Sequence, residues 1–256
     1  MTTELLTERR DAVLVMTLSG PATRNTLSPQ VYAAGIESLN MAESDPSVAA
    51  VIVTGAGGHF CGGGDLQRLS HNRQQDPSQQ AANIDAFHQW IEALRAFPKP
   101  VIAAVEGVAA GGGLSVTLAC DLIVAADNAR FVSAYSKVGL STDGGASWHL
   151  ARQLPRGVAL QWLWTGGDAT AQQMQQWGLV HQIEPAGTAL TAGLALADAL
   201  AKTPANVLAS LKELVNDAPQ APLSEHLAAE KRHFLVNLMR PEAGEAIARF
   251  LQRKKG

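Results

Sequence analysis

Two glycine-rich segments carry the strongest chemical signal in the 256-residue sequence: Gly57-Gly-His-Phe-Cys-Gly-Gly-Gly-Asp65 and Glu106-Gly-Val-Ala-Ala-Gly-Gly-Gly-Leu-Ser115. Each follows an apolar run that reads as a buried strand, Val48 to Thr54 and Val101 to Val105. Glycine there permits positive φ or a close approach of main chain to another group. The second segment runs into Leu114 to Ala119, which reads as a short buried helix, and a helix N-terminus presents free N–H donors with a partial positive charge. Two such donors aimed at one point would hold an oxyanion. Tight turns alone would also account for the glycines. Nucleotide-binding motifs fit poorly. Gly55-Ala-Gly57 lacks the third glycine of the dinucleotide fingerprint, where Phe60 stands, no P-loop lysine follows either run, and there is no GxSxG elbow.

The side chains that could move protons are few. Asp143 lies in Val138-Gly-Leu-Ser-Thr-Asp-Gly-Gly145, where an Asp-Gly pair on its own reads as a turn with a solvated carboxylate. His88 borders the apolar face of a helix between Ile84 and Ile91, and a half-buried surface histidine is an equal reading. Ser115, His88 and Asp143 are the right types for a hydrolytic triad, but triads are defined by geometry. Glu106 is read as satisfying main-chain N–H groups. No His, Cys or Asp cluster has metal-ligand spacing.

The elements that must position these groups alternate. Val13 to Leu18 reads as a strand. Ser28-Pro29 reads as an N-cap and first helical residue, and the helix runs to about Asp45 with Tyr32, Ile36 and Leu39 on one face. Gln67 to Gln80 reads as a mobile polar loop and Gly107 to Gly113 as a turn. Ile84, Phe87, Ile91 and Leu94 mark a helix. Leu122 to Ala126, Phe131-Val132 and Val180 to Ile183 read as further strands. Such alternation implies an α/β class with parallel pairing. Residues 1–200 form the core on this reading, and a helical tail follows over 201–256.

Composition bounds the function classes. Hydrophobic residues make up 46% and charged residues 17%, enough for a sizeable core, and a net charge of −3 offers no field for nucleic acid or an anionic membrane. Cys61 and Cys120 form no CxxC pair, as expected of a reducing compartment. The charged start of the chain indicates no signal peptide. The longest nearly uncharged stretch, Gly107 to Cys120, is shorter than the ~20 residues of a membrane span. A cytoplasmic protein without a membrane or nucleic-acid partner is expected.

Several segments together resemble one family. Phe60-Cys-Gly-Gly-Gly-Asp-Leu66 resembles the FCAGxDL segment of the crotonase (enoyl-CoA hydratase/isomerase) superfamily. Pro98 to Gly113 resembles its second signature, continued by Cys120 to Ala126, and Phe250 to Lys254 resembles its C-terminal ending. Pro21 to Leu27 is similar to its N-terminal segment that contacts coenzyme A. The resemblance spans nearly the whole chain. It implies a crotonase spiral of ββα turns with a C-terminal helical trimerisation region, assembled as a homotrimer or a dimer of trimers. It implies an acyl-CoA thioester as ligand, with coenzyme A as part of the substrate and no separate cofactor or metal. The implied oxyanion donors are the N–H groups of Gly64 and Gly112, and Arg24, Gly62, Asp65 and Leu66 are the implied coenzyme A contacts.

The resemblance also marks departures. The hydratases of the family use two glutamates, and Ser115 and Tyr135 stand at those positions here. Hydration of an enoyl thioester needs a positioned acid and base for water, so double-bond or ring isomerisation is expected first, with enoyl-CoA hydration, dehalogenase-type acyl-CoA hydrolysis and a non-catalytic acyl-CoA binder as alternatives. Asp143 is placed like the single aspartate of the isomerase-like members, and Phe131 to Leu140 resembles that group most closely. His88-Gln-Trp-Ile91 is similar to a functional histidine setting in the 4-chlorobenzoyl-CoA dehalogenase, but Tyr135 replaces that enzyme's tryptophan. The segments Leu66 to Ile84 and Tyr135 to Trp148 are expected to shape the acyl pocket, with Trp148 and Trp90 suited to a ring.

Overall fold

The structure, a computed structural model, describes residues 3–253; Met1 and Thr2, at the start of the charged segment, and Lys254, at the end of the Phe250 to Lys254 segment, lie outside the described residues. The chain divides into two compact units between Asp198 and Ala199.

The first unit contains β1 (Glu4–Arg10), β2 (Val13–Ser19), α1 (Pro29–Ser44), β3 (Ala50–Gly55), α2 (Leu66–Asn72), α3 (Pro77–Ala96), β4 (Val101–Val105), β5 (Val108–Ala110), α4 (Gly112–Ala119), β6 (Leu122–Ala126), β7 (Arg130–Val132), α5 (Ala146–Gln153), α6 (Arg156–Thr165), β8 (Asp168–Thr170), α7 (Ala171–Gln176), β9 (Gln182–Glu184) and nearly all of α8 (Ala189–Leu200). Single 3₁₀ turns follow β2 (Pro21–Thr23) and β7 (Ala134–Val138). One sheet has the order β1-β2-β3-β4-β6-β9 and a smaller one β5-β7-β8. From β2 to β9 the larger sheet is parallel, with Thr17 opposite Thr54 and Thr54 opposite Ala104. Strands buried on both faces read as unbroken apolar runs, and every residue of β4 is buried. The helix α4 is buried along its whole length, as expected of a helix apolar all round.

Parallel neighbours send their exit loops out at the same end of the sheet, where open α/β sheets bind ligands. Three such loops, after β2, β3 and β4, are tied together here. Asn25, fully buried with φ 56°, accepts from the Gly20 N–H at 2.9 Å and donates to the Ala56 and His59 carbonyls at 2.9 and 2.8 Å. Cys61 N–H donates to Val108 O at 2.9 Å, and Ala110 N–H donates to Cys61 O at 2.9 Å. Glu106 accepts from the Gly187 and Ala189 amides at 3.0 and 2.9 Å, fixing the start of α8 as the sequence suggests.

The sequence reading is corrected in three places. The polar stretch from Gln67 to Gln80 is not a loop. Asp65 caps α2 by accepting from Gln67 N–H at 2.8 Å, and Asp76 caps α3, with Pro77 as first residue, by accepting from Ser78 N–H at 2.9 Å. Capping energy offsets the weak apolar pattern of these first turns. The turn from Gly107 to Gly113 contains β5, whose main chain pairs with β7. The charged, mostly exposed edge strand β1 has no apolar run to reveal it, yet it pairs antiparallel with β2 along its length.

The second unit contains α9 (Ala205–Asp217), α10 (Leu223–Leu238) and α11 (Pro241–Arg253). Asn237 joins the first two of these, accepting from Asn206 at 2.7 Å and contacting Ser210 Oγ at 3.1 Å. Large apolar side chains on all three stay exposed, among them Val215, Phe234 and Phe250.

If Asn25 holds two exit loops in place, Asn25→Ala leaves a buried N–H and two carbonyls unpaired. We expect the unfolding free energy to fall by about 3 kcal/mol in urea denaturation; an unshifted midpoint would show that the loops are held by other contacts.

Candidate active site

The tied loops open onto a cavity of about 500 Å³ whose wall includes Gly62, Gly64, Leu66, His88, Gly112, Tyr135 and Asp143. Seven of the nine site residues singled out in the sequence therefore meet at one place. The other two lie outside its lining. Arg24 has an exposed side chain and φ 55°, and its carbonyl accepts from Gly62 N–H at 2.7 Å, so its main chain sets the first glycine of the loop. Asp65 spends its carboxylate on the α2 cap.

The glycine loops approach each other as closely as main chain allows. Gly63 has φ +89°, and a Cβ there would lie 2.7 Å from Ala110 O and 3.3 Å from Gly112 N. Gly111 has φ 51° and ψ −120°, a conformation open only to glycine, and it turns the chain into α4 so that Gly112 is its first residue. Cys61, fully buried between the loops, accepts from Gly63 N–H through Sγ at 3.4 Å. Burial pushes its thiol up to about 12, so it stays protonated and unreactive. Among the described residues neither Gly64 N–H nor Gly112 N–H donates a main-chain hydrogen bond outside the regular elements. Gly112, as the first residue of α4, belongs to the turn whose N–H groups have no partner within the helix.

Asp143 is held by two hydroxyls that also contact each other. Its Oδ1 accepts from the Tyr135 hydroxyl at 2.6 Å, its main-chain carbonyl accepts from Ser115 Oγ at 2.9 Å, and Ser115 Oγ lies 3.2 Å from the Tyr135 oxygen. Burial holds the Tyr135 phenol well above its usual range, and the Asp143 charge and hydrogen bond reinforce this, so the tyrosine remains a neutral donor. Each hydroxyl has one proton. With Tyr135 donating to Oδ1 and Ser115 to the carbonyl, both are committed. The Ser115–His88–Asp143 triad is therefore not formed: Ser115 is turned to the Asp143 main chain, and no hydrogen bond joins His88 to either partner among the described residues. His88 lines the cavity from the exposed side of α3.

The tryptophans lie elsewhere. Trp90 is fully buried against Gly35. Trp148 is held between Arg95 and Arg152, at 4.5 and 3.8 Å from its ring, and lines a separate hollow. The aromatic wall of the cavity comes instead from Tyr32, Phe87 and Tyr135. Tyr32 and Phe87 fall on the apolar helix stripes read from the sequence, and nothing in their spacing separates a core face from a cavity wall.

The sequence matches the enoyl-CoA hydratase/isomerase family over residues 8–256. The chain belongs to the enoyl-CoA hydratase/isomerase family. A solved structure of an enoyl-CoA hydratase from Polaromonas sp. JS666 is 50% identical and superposes with a TM-score of 0.96, covering 98% of this chain and 97% of that one. The 2,3-dehydroadipyl-CoA hydratase of Escherichia coli K12 is 32% identical, covering 98% of this chain and 96% of its own length. The 1,2-epoxyphenylacetyl-CoA isomerase of the same organism is 31% identical with the same coverage. The fold of this family member is thus the crotonase fold, and it is an enzyme of that family. Among its described residues no cluster of three or more His, Cys, Asp or Glu could hold a metal ion, and no helix is long and apolar enough to cross a membrane.

Behind the cavity wall of this family member, His149 on α5 is buried against Gly145. Burial, then the charges of Arg95 and Arg152, lower its pKa from 6.5 to about 4. Between these values the unfolded chain binds a proton that the native state refuses, so stability falls as pH drops through that window. Compared with His149→Gln, the wild type should lose about 3 kcal/mol more between pH 7 and pH 4 in denaturant titrations. Parallel pH profiles for the two proteins would remove His149 as the cause.

Proposed function

We propose that this enzyme isomerises an unsaturated or ring-containing acyl group carried as a coenzyme A thioester, with Asp143 as the acid/base. The observation that carries the reading is the 2.6 Å hydrogen bond from Tyr135 to Asp143 Oδ1 at the wall of the cavity that Gly64 and Gly112 also line. In this reading the thioester carbonyl sits against the Gly64 and Gly112 N–H groups, which stabilise the negative oxygen that develops when a proton leaves the neighbouring carbon. Tyr135 occupies one oxygen of the carboxylate and fixes its plane, and the other oxygen takes the proton from one carbon and returns it to another. One base suffices for such a transfer. Hydration requires a second group to deliver water's proton, and both Ser115 and Tyr135 are already engaged with Asp143. His88 lines the same cavity and would bound the acyl group on its α3 side.

Leu66 and the main chain around Gly62 would carry the coenzyme A portion near the cavity mouth, with Arg24 and Asp65 nearby in sequence. Coenzyme A enters as part of the substrate. The exposed apolar side chains of α9, α10 and α11 suit assembly into a trimer or a dimer of trimers, and the chain's acidic balance suits a cytoplasmic enzyme.

Asp143→Asn should lower kcat at least ~100-fold on the best substrate of a panel of unsaturated acyl-CoA thioesters, with coenzyme A affinity kept. Tyr135→Phe should lower kcat less, about tenfold, because the carboxylate remains but loses its tether. Unchanged turnover by the Asp143 variant, or water addition as the dominant wild-type reaction, would contradict the assignment.

A further inference from the structure

Tyr32 on α1 is buried and also forms part of the cavity wall. Its ring is held on two sides, 5.1 Å from the Phe87 ring and 6.0 Å from Trp90, so it cannot swing away without opening the α1–α3 contact. Two opposite charges act on its hydroxyl: the Arg68 guanidinium favours its ionisation and the Asp143 carboxylate opposes it. Arg68 is itself anchored, donating through Nη2 to the Leu27 carbonyl at 2.7 Å.

Hydrogen-bond capacity decides the direction of the Tyr32 proton. A guanidinium has donors and no acceptor, so Arg68 can only donate to the Tyr32 oxygen. Burial keeps the phenol protonated, far above the neutral range. The hydroxyl proton must find another acceptor. Among the described residues no hydrogen bond joins the Tyr32 hydroxyl to Asp143, whose Oδ1 receives Tyr135, or to any other protein acceptor. The remaining direction is the cavity.

We propose that the Tyr32 hydroxyl, oriented by Arg68, donates a hydrogen bond to an oxygen on the acyl portion of the bound thioester and thereby selects oxygen-bearing acyl groups over hydrocarbon ones. This rests on the acyl-CoA reading above. A purely hydrocarbon acyl group would displace water from the hydroxyl and leave a buried donor unpaired, and sites built around a polar partner discriminate most strongly against ligands that lack it. A hydroxyl, an oxo group and a ring ether each offer such an acceptor oxygen.

The test is isothermal titration of wild-type enzyme and Tyr32→Phe with coenzyme A, butyryl-CoA, 3-hydroxybutyryl-CoA and 4-hydroxybutyryl-CoA. The wild type should bind one hydroxy thioester about tenfold more tightly than butyryl-CoA. Tyr32→Phe, which keeps the ring, should bring that ratio to about one. Arg68→Gln should lower the same ratio while leaving the aromatic packing intact. Equal wild-type affinity for the three acyl thioesters, or a preference that survives in Tyr32→Phe, overturns the assignment. Failure of the wild type to bind any of the four compounds would instead defeat the acyl-CoA reading on which it rests.

Discussion

The close approach of two main-chain loops at Gly63 is the constraint on which the site depends. The loop after β3 and the loop after β4 leave adjacent parallel strands and are stitched by the Cys61–Val108 and Ala110–Cys61 hydrogen bonds. With the Gly63 position 2.7 Å from Ala110 O when a Cβ is added, no side chain can stand between them. This fixes where Gly64 and Gly112 lie relative to each other without help from a ligand. In the proposed oxyanion role, amides held in this way need no reorientation when charge develops, which is where such donors gain their effect. The remaining architecture serves this junction. Asn25 ties in the loop after β2, Cys61 fills the space behind the glycines, and the buried helix α4 supplies a start that cannot tilt.

The acid group is held by a different logic. Asp143 comes from an irregular segment, and a carboxylate on such a segment would ordinarily sample many positions. Here the segment is fastened to the buried floor through Ser115, whose hydroxyl donates to the Asp143 carbonyl, and through Tyr135, which reaches both that carbonyl and the carboxylate. Gly144 and Gly145 follow with φ 57° and 78°, and a Cβ at Gly144 would meet Phe87 at 2.4 Å. The glycines therefore let the segment press against Phe87 and Ser115, and the aspartate inherits the rigidity of the core beneath it.

Much of this was legible in the sequence because it rests on short-range rules. The Ser28-Pro29 helix start, the apolar runs of β3 and β4 and the glycine loops each depend on a few neighbouring residues, and each lies within two residues of where it was read. What escaped reading depends on partners distant in sequence. β1 is a strand because β2 lies beside it, and β5 because β7 does. The stretch from Gln67 to Gln80 conceals two helix starts whose evidence was Asp65, Asp76 and Pro77 rather than an apolar stripe. In the site, types and positions were readable for Asp143, Gly64 and Gly112. The engagement of Ser115 and Tyr135 with Asp143 was not, because it joins residues 8 and 28 positions apart. Trp148 was misplaced because an aromatic residue near a motif carries no sign of which way it faces.

Ser115 and Tyr135, which stand where the resemblance implies two acids, fit that same engagement. Position 115 lies in a helix with no exposed residue, so a carboxylate there would need a bound partner to offset its burial. Ser115 carries no charge and satisfies its hydroxyl on the Asp143 carbonyl, turning a position that could hold an acid into an anchor for the segment that does. Tyr135 acts likewise: neutral and buried, it donates to the carboxylate where a second carboxylate would repel it. The two substitutions and the aspartate are thus one arrangement. Restoring a glutamate at 115 or 135 alone would place like charge beside Asp143 and remove one of its fastenings, so in the proposed reading the single carboxylate and the way its loop is held belong together.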